Sequence, residues 1–219
     1  MKPKNLCFLF LFFVSTITKA GFLLLPMDET SQQNHLKAYG ITYWCLDKNY
    51  KASWLLNYRG GSFLLPDAPE IRKECQIRGV SFEVVSDSEE AELLNLIASP
   101  SQNMESVLLE KAPKIAVYTP KGKQPWDDAV TLVLTYAEIP FTAVYDEEVL
   151  SDQLLLYDWL HLHHEDFTGQ YGKFYGTYKN TPWYIEQKKE AELLAKKLGF
   201  AKVSDEKGAV AQKISHFVI

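Results

Sequence analysis

Cysteine is scarce: Cys7, Cys45 and Cys75 are the only three in 219 residues. No two form a CxxC pair and none stands with histidine at ligand spacing, which excludes a dithiol redox motif and a Cys/His metal motif. Long apolar runs are equally scarce. Only residues 6–14 form one, and a bilayer span takes about 20 residues. Basic residues are in the minority, with 23 Lys and Arg against 28 Asp and Glu, and they form no stripe. That excludes nucleic acid as a partner and disfavours anionic lipid, because clustered positive charge holds both. Phosphate-binding glycine patterns are missing too. The loop at 119–125 matches neither a dinucleotide nor a P-loop fingerprint, and Asp127 and Asp128 put negative charge at the helix start that follows. No cofactor is expected.

What is present begins with an export signal. Lys2 and Lys4 precede the apolar run, and residues 15–20 form a polar stretch ending in a small residue. Residues 1–20 therefore read as a signal peptide cleaved after Ala20. They carry Lys2, Lys4 and Lys19 and no acid, leaving 20 basic against 28 acidic residues, a net charge of −8. The mature chain is expected to be soluble, periplasmic or secreted, with no membrane span. In that compartment Cys45 and Cys75 can pair. Two buried thiols are the alternative, and spacing alone does not choose between them.

Apolar runs closed by proline, glycine or polar residues predict strands at 21–26, 80–85, 115–118, 141–145 and 157–162. Trp54-Leu-Leu and Phe63-Leu-Leu flank Asn57-Tyr-Arg-Gly-Gly61, whose glycines permit positive φ in a hairpin turn. Helices are predicted over 35–45, 69–78 with a stop at Gly79, 89–98 capped by Asp87 or Ser88, 126–138, 183–198 and 206–217. A further short helix is predicted to end near Val107, Leu108 and Leu109, and residues 147–156 read as a helical link. Residues 77–87 and 137–146 echo one another weakly, each a helix end, tight turn, strand and acid. Alternating strands and helices predict a parallel sheet covered on both faces. The polar stretch at 99–103 is a boundary candidate, dividing the mature chain into 21–112 and 113–219.

Most groups capable of chemistry gather at residues 157–172. His161 and His163 share a face of an extended strand, with His164, Glu165 and Asp166 just beyond. His161, His163 and Glu165 are the candidate catalytic set, as general acids and bases near neutral pH. The same residues could hold a divalent metal, or the histidines could be packing groups at a strand end. His164, Asp166, Tyr171, Trp126 and Arg59 are the candidate ligand-binding residues. Seven aromatics between 167 and 184, punctuated by Gly169, Gly172 and Gly176, suit a sugar or peptide surface or a lid. Arg59 offers a planar fork to a carboxylate, although the turn it occupies needs only its glycines.

His35-Leu-Lys-Ala-Tyr-Gly40, Trp54-Leu-Leu-Asn-Tyr-Arg-Gly-Gly-Ser-Phe63, Pro125-Trp-Asp-Asp-Ala129 and His161-Leu-His-His-Glu-Asp-Phe-Thr-Gly-Gln-Tyr171 resemble exported bacterial proteins labelled asparagine synthetase B. The resemblance covers nearly the whole mature chain. It implies a mostly parallel, three-layer α/β sandwich of the class I glutamine amidotransferase-like, flavodoxin-like kind. It also implies a small-molecule or peptide-like ligand and, in a full-length form, hydrolysis of an amide or similar bond. Gly60-Gly-Ser62 is followed by Phe63 rather than by the aspartate of a pyrophosphate loop, and Lys2 rather than cysteine follows Met1. ATP-dependent asparagine synthesis is therefore not implied. The amidotransferase nucleophile is a cysteine after a glycine-rich strand, expected beyond Ile219, so the chain reads as C-terminally incomplete.

Overall fold

The computed structural model describes residues 21–119, 129–162 and 176–218. Residues 1–20, expected to be a signal peptide, and Trp126, His163, His164, Glu165, Asp166 and Tyr171 lie outside them. Five strands form the first sheet: β1 (Gly21–Leu25), β2 (Ala52–Leu56), β3 (Ser62–Pro66), β4 (Glu83–Ser86) and β5 (Glu105–Leu109). Their order is β4-β1-β3-β2-β5 and every pairing is antiparallel. α1 (His35–Asp47) and α2 (Pro69–Arg78) cover one face, packing on Leu23, Leu25, Phe63 and Leu65. α3 (Asp87–Ile97) covers the other, on Leu24, Leu55, Leu64 and Val85.

The expected mostly parallel, flavodoxin-like sandwich is thus overturned. The larger sheet is antiparallel, and only a separate three-stranded sheet is parallel. The physical reason lies in the crossovers. β1 and β2 run parallel across α1, but β3 inserts between them. β3 and β4 run parallel across α2, but β1 inserts between them. Each helical crossover skips one strand position, and the gap is filled antiparallel, as in a split βαβ unit. Because helices cover both faces, the strands are near-continuous apolar runs, the pattern usual for buried parallel strands. Residues 105–109 are also a strand rather than the expected helix; β5 pairs with β2, Trp54 opposite Val107.

The second sheet contains β6 (Ile115–Tyr118), β7 (Thr142–Val144) and β8 (Trp159–Leu162), in the order β7-β6-β8. Alternate residues of β6 serve opposite faces. Ile115 and Val117 pack with Leu134 of α4 (Ala129–Ala137) and with Tyr43 of α1. Ala116 and Tyr118 pack with Val149 of α5 (Asp146–Leu150) and Leu154 of the 3-10 turn Gln153–Leu156. The same cluster includes Val210 and Ile214 of α7 (Val203–Val218), which follows α6 (Pro182–Lys197).

α1 and α4 join the two sheets. A Cβ on Gly40 would overlap the Ala137 carbonyl oxygen and lie 2.9 Å from its carbon, so only glycine permits this approach. Around it, Lys37 Nζ meets Glu138 at 2.6 Å, Tyr136 donates to Asn34 Oδ1 at 3.2 Å, and Tyr43 donates to the Pro113 carbonyl at 2.8 Å. Arg78 adds a contact to Glu138 at 3.3 Å.

Candidate functional site

The parallel sheet has a reversal point. The connection leaving β6 crosses the sheet on the α4 face, whereas α5 and α7, which follow β7 and β8, lie on the opposite face. In open parallel sheets, ligands bind beyond the carboxyl ends of the strands at such a reversal point, so the carboxyl ends of β6 and β8 are the candidate position.

At that end, on the α7 face, five side chains converge. Tyr118 closes β6, Tyr145 and Asp146 follow β7, and Glu206 and Lys207 occupy the first turns of α7. Lys207 Nζ donates to Asp146 Oδ2 at 2.8 Å, to the Tyr145 hydroxyl at 3.1 Å and to the Tyr118 hydroxyl at 3.3 Å. Tyr118 in turn donates its hydroxyl to Asp146 Oδ1, so both oxygens of the buried Asp146 are occupied. The Lys207 ammonium also lies 4.5 Å from the Tyr145 ring centre, and the two tyrosine rings are 5.1 Å apart. Burial works against the Lys207 charge, but Tyr145 and Asp146 outweigh it and hold the ammonium above its usual range. It is a fixed cation, not a nucleophilic amine.

Glu206 is the strained member. It is 1 % exposed, and its Oε1 has no hydrogen-bond partner among the described residues. It lies against Asp146, but two ionised carboxylates offer each other only lone pairs. Burial first, then hydrogen bonding to Asp146 and its charge, push the Glu206 carboxyl up to about 7, with Lys207 opposing them. At the end of β6, Thr119 is 5 % exposed and its Oγ1 is likewise without a hydrogen-bond partner among the described residues. Buried polar atoms are nearly always satisfied by protein, water or ligand, so the Glu206 orphan makes the α7 face the candidate site, while Thr119 alternates with Tyr118 onto the α4 face.

Of the candidate residues, His161 is on β8 beside Val117 in the register. It therefore shares the α4 face, away from Asp146 and Lys207, while its neighbour Leu160 packs on the α7 side. Arg59 is turned to the protein's own acids. It donates to Asp28 at 2.9 Å, to Ser31 at 3.0 Å and to both Glu83 oxygens at 2.8 and 2.9 Å. His163, Glu165, His164, Asp166, Tyr171 and Trp126 fall outside the described residues. Among the described residues no group of three His, Cys, Asp or Glu side chains converges as a metal site, and no helix is long and apolar enough to cross a membrane.

The buried cluster escaped the sequence reading because its members are separated by 89 residues, from Tyr118 to Lys207. One signal was available: Asp146, the acid directly after a parallel strand. The carboxyl-end rule applies to β7 as much as to β6 and β8, and the stretch after β7 read only as a link. No family model, curated protein or solved structure matches the chain.

Proposed function

We propose that the chain is an exported protein of the kind labelled asparagine synthetase B, and that it binds a small polar or peptide-like ligand at the carboxyl ends of β6, β7 and β8. The observation that carries this is the buried Tyr118–Tyr145–Asp146–Glu206–Lys207 cluster with its unpartnered Glu206 Oε1. Fixed charges and hydroxyls held by packing are the groups that orient a polar ligand. The described thiols offer no nucleophile for amide hydrolysis. Cys45 and Cys75 are fully buried, and burial pushes them up to about 12 and about 11, so neither is a nucleophile.

A thermal-shift panel of amino acids, dipeptides and primary amides tests this on residues 21–219. At least one class is expected to raise Tm in proportion to its concentration. That gain should fall at least tenfold in apparent affinity in Asp146→Asn, provided the variant retains native circular dichroism. Equal Tm gains in wild type and variant would place the ligand elsewhere.

A further inference from the structure

The strand-end cluster carries an unbalanced charge. Among the described residues, Asp146 and Glu206 bring two carboxyl groups into a space that holds one ammonium, Lys207, and that ammonium is already committed to Asp146 and the two tyrosines. Fully ionised, the cluster would hold one excess negative charge with almost no access to water, a state that proteins relieve by a proton or a bound cation. Asp146 accepts at both oxygens, so the proton resides on Glu206, whose Oε1 has no hydrogen-bond partner among the described residues.

Resting on the ligand-binding reading above, we propose that the ligand presents a primary ammonium group, which lodges at Glu206 and takes the place of the proton held there in the free protein. No covalent bond is made or broken apart from the O–H bond. The Glu206 carboxyl releases its proton to solvent, and the incoming R–NH3+ donates N–H to the carboxylate left behind, so charge is conserved inside the cluster. An ammonium suits the position better than a metal ion. A dehydrated divalent cation needs more oxygen ligands than one free carboxylate supplies, whereas an ammonium needs up to three acceptors of ordinary hydrogen-bond length.

Among the described residues, the other charged groups around Glu206 do not supply the missing cation. β6 contributes Tyr118, and the junction after β7 contributes Tyr145 and Asp146. On α5, Glu147 pairs with exposed Lys197 of α6 at 3.3 Å, and Glu148 accepts from the Tyr145 backbone at 3.0 Å. On α7 itself, Asp205 accepts from Ser204, and Lys213 is paired with Asp152.

The test uses residues 21–219 and two probes, Nα-acetyl-lysinamide and its Nε-acetylated counterpart, by titration calorimetry in buffers of different ionisation heat. The probe ammonium stays protonated throughout, since a lysine amine titrates near 10.4, about three decades above neutrality. Only the free amine should bind. With Glu206 held at about 7, binding should release about 0.9 proton at pH 6 and about 0.1 at pH 8, and tighten about tenfold between them. In Glu206→Gln the release and the pH dependence should vanish. Carboxyl 13C NMR of Glu206 gives the same answer without the variant: its titration should move down by at least one pH unit when the free amine binds. Equal binding of both probes, or binding without proton release, overturns the ammonium assignment and leaves the ligand-binding proposal standing. If neither probe binds and no compound of the thermal-shift panel binds, both are overturned.

Discussion

Glu206 is a carboxylic acid in a place where a carboxylate is poorly solvated, and its effect on stability has a definite sign. Its folded value, about 7, lies above the ordinary 4.5, so the folded state binds the proton more tightly than the unfolded chain. Stability from this group is complete below about pH 4.5 and is lost as pH rises to about 7. Such a displacement is worth about 3 kcal/mol. Glu206→Gln should therefore be more stable than wild type at pH 8, by about 1–3 kcal/mol in urea melts, and equal to it at pH 4. A variant less stable at pH 8 would show that the carboxylate is satisfied there. Asp28 behaves oppositely: hydrogen bonds from Ser31 and Thr30, then Arg59, hold it well below the carboxylate range, so its contribution is lost only in acid. Cys45 and Cys75 are free and buried in one core cluster, their thiols pushed up by burial. Ellman's reagent should label neither in the native protein and both in denaturant without reductant; no labelling in denaturant would mean a disulfide. The Glu206 environment was not legible in the sequence, because it depends on Asp146, far away along the chain, whereas buried thiols were one of the two readings of Cys45 and Cys75.

Elements were far more legible than side-chain environments, since local signals fix them. α2 begins at Pro69 and stops at Gly79, whose φ of 66° is left-handed, as the proline and glycine punctuation predicts. α3 is capped one residue earlier than expected: the Ser86 hydroxyl accepts from Glu89 N, and Glu89 Oε2 accepts from Ser86 N at 2.8 Å. Ser86→Ala should lower stability by about 1 kcal/mol in chemical denaturation, and an unchanged midpoint would mean that the exposed cap contributes nothing. Gly40 carries no local signal of its importance. Inside a helix, alanine normally outranks glycine by about 1 kcal/mol, but here the added Cβ would overlap the Ala137 carbonyl. Gly40→Ala should destabilise by at least about 2 kcal/mol and lower Tm. A stabilised variant would mean that α1 and α4 do not meet as described. At 105–109 the sequence pointed the wrong way. Val107, Leu108 and Leu109 fit a helix end as well as a strand, and pairing with β2 decides the matter.

At the scale of the whole molecule, strand directions depend on which strands become neighbours, and periodicity does not carry that information. Phe22-Leu-Leu-Leu25 and Phe63-Leu-Leu65 are buried on both faces by helices, which makes antiparallel strands look parallel. The three-stranded sheet around β6 was legible because each of its strands is followed by helix in the simplest βαβ manner. Its carboxyl end drew attention in the sequence through the histidines of β8, of which the described His161 lies on the α4 face, away from the cluster. The cluster of Asp146, Glu206 and Lys207 was not legible, because α7 delivers two of them from about sixty residues further along the chain than Asp146. The account rests on Glu206 holding a proton at that strand end and yielding it to a ligand. Carboxyl 13C NMR of Glu206, titrated from pH 4 to 9 in residues 21–219, measures this directly. A midpoint near 7, lowered by at least one pH unit on adding Nα-acetyl-lysinamide, is the predicted result. A midpoint at the ordinary 4.5, unmoved by the amine, would contradict it.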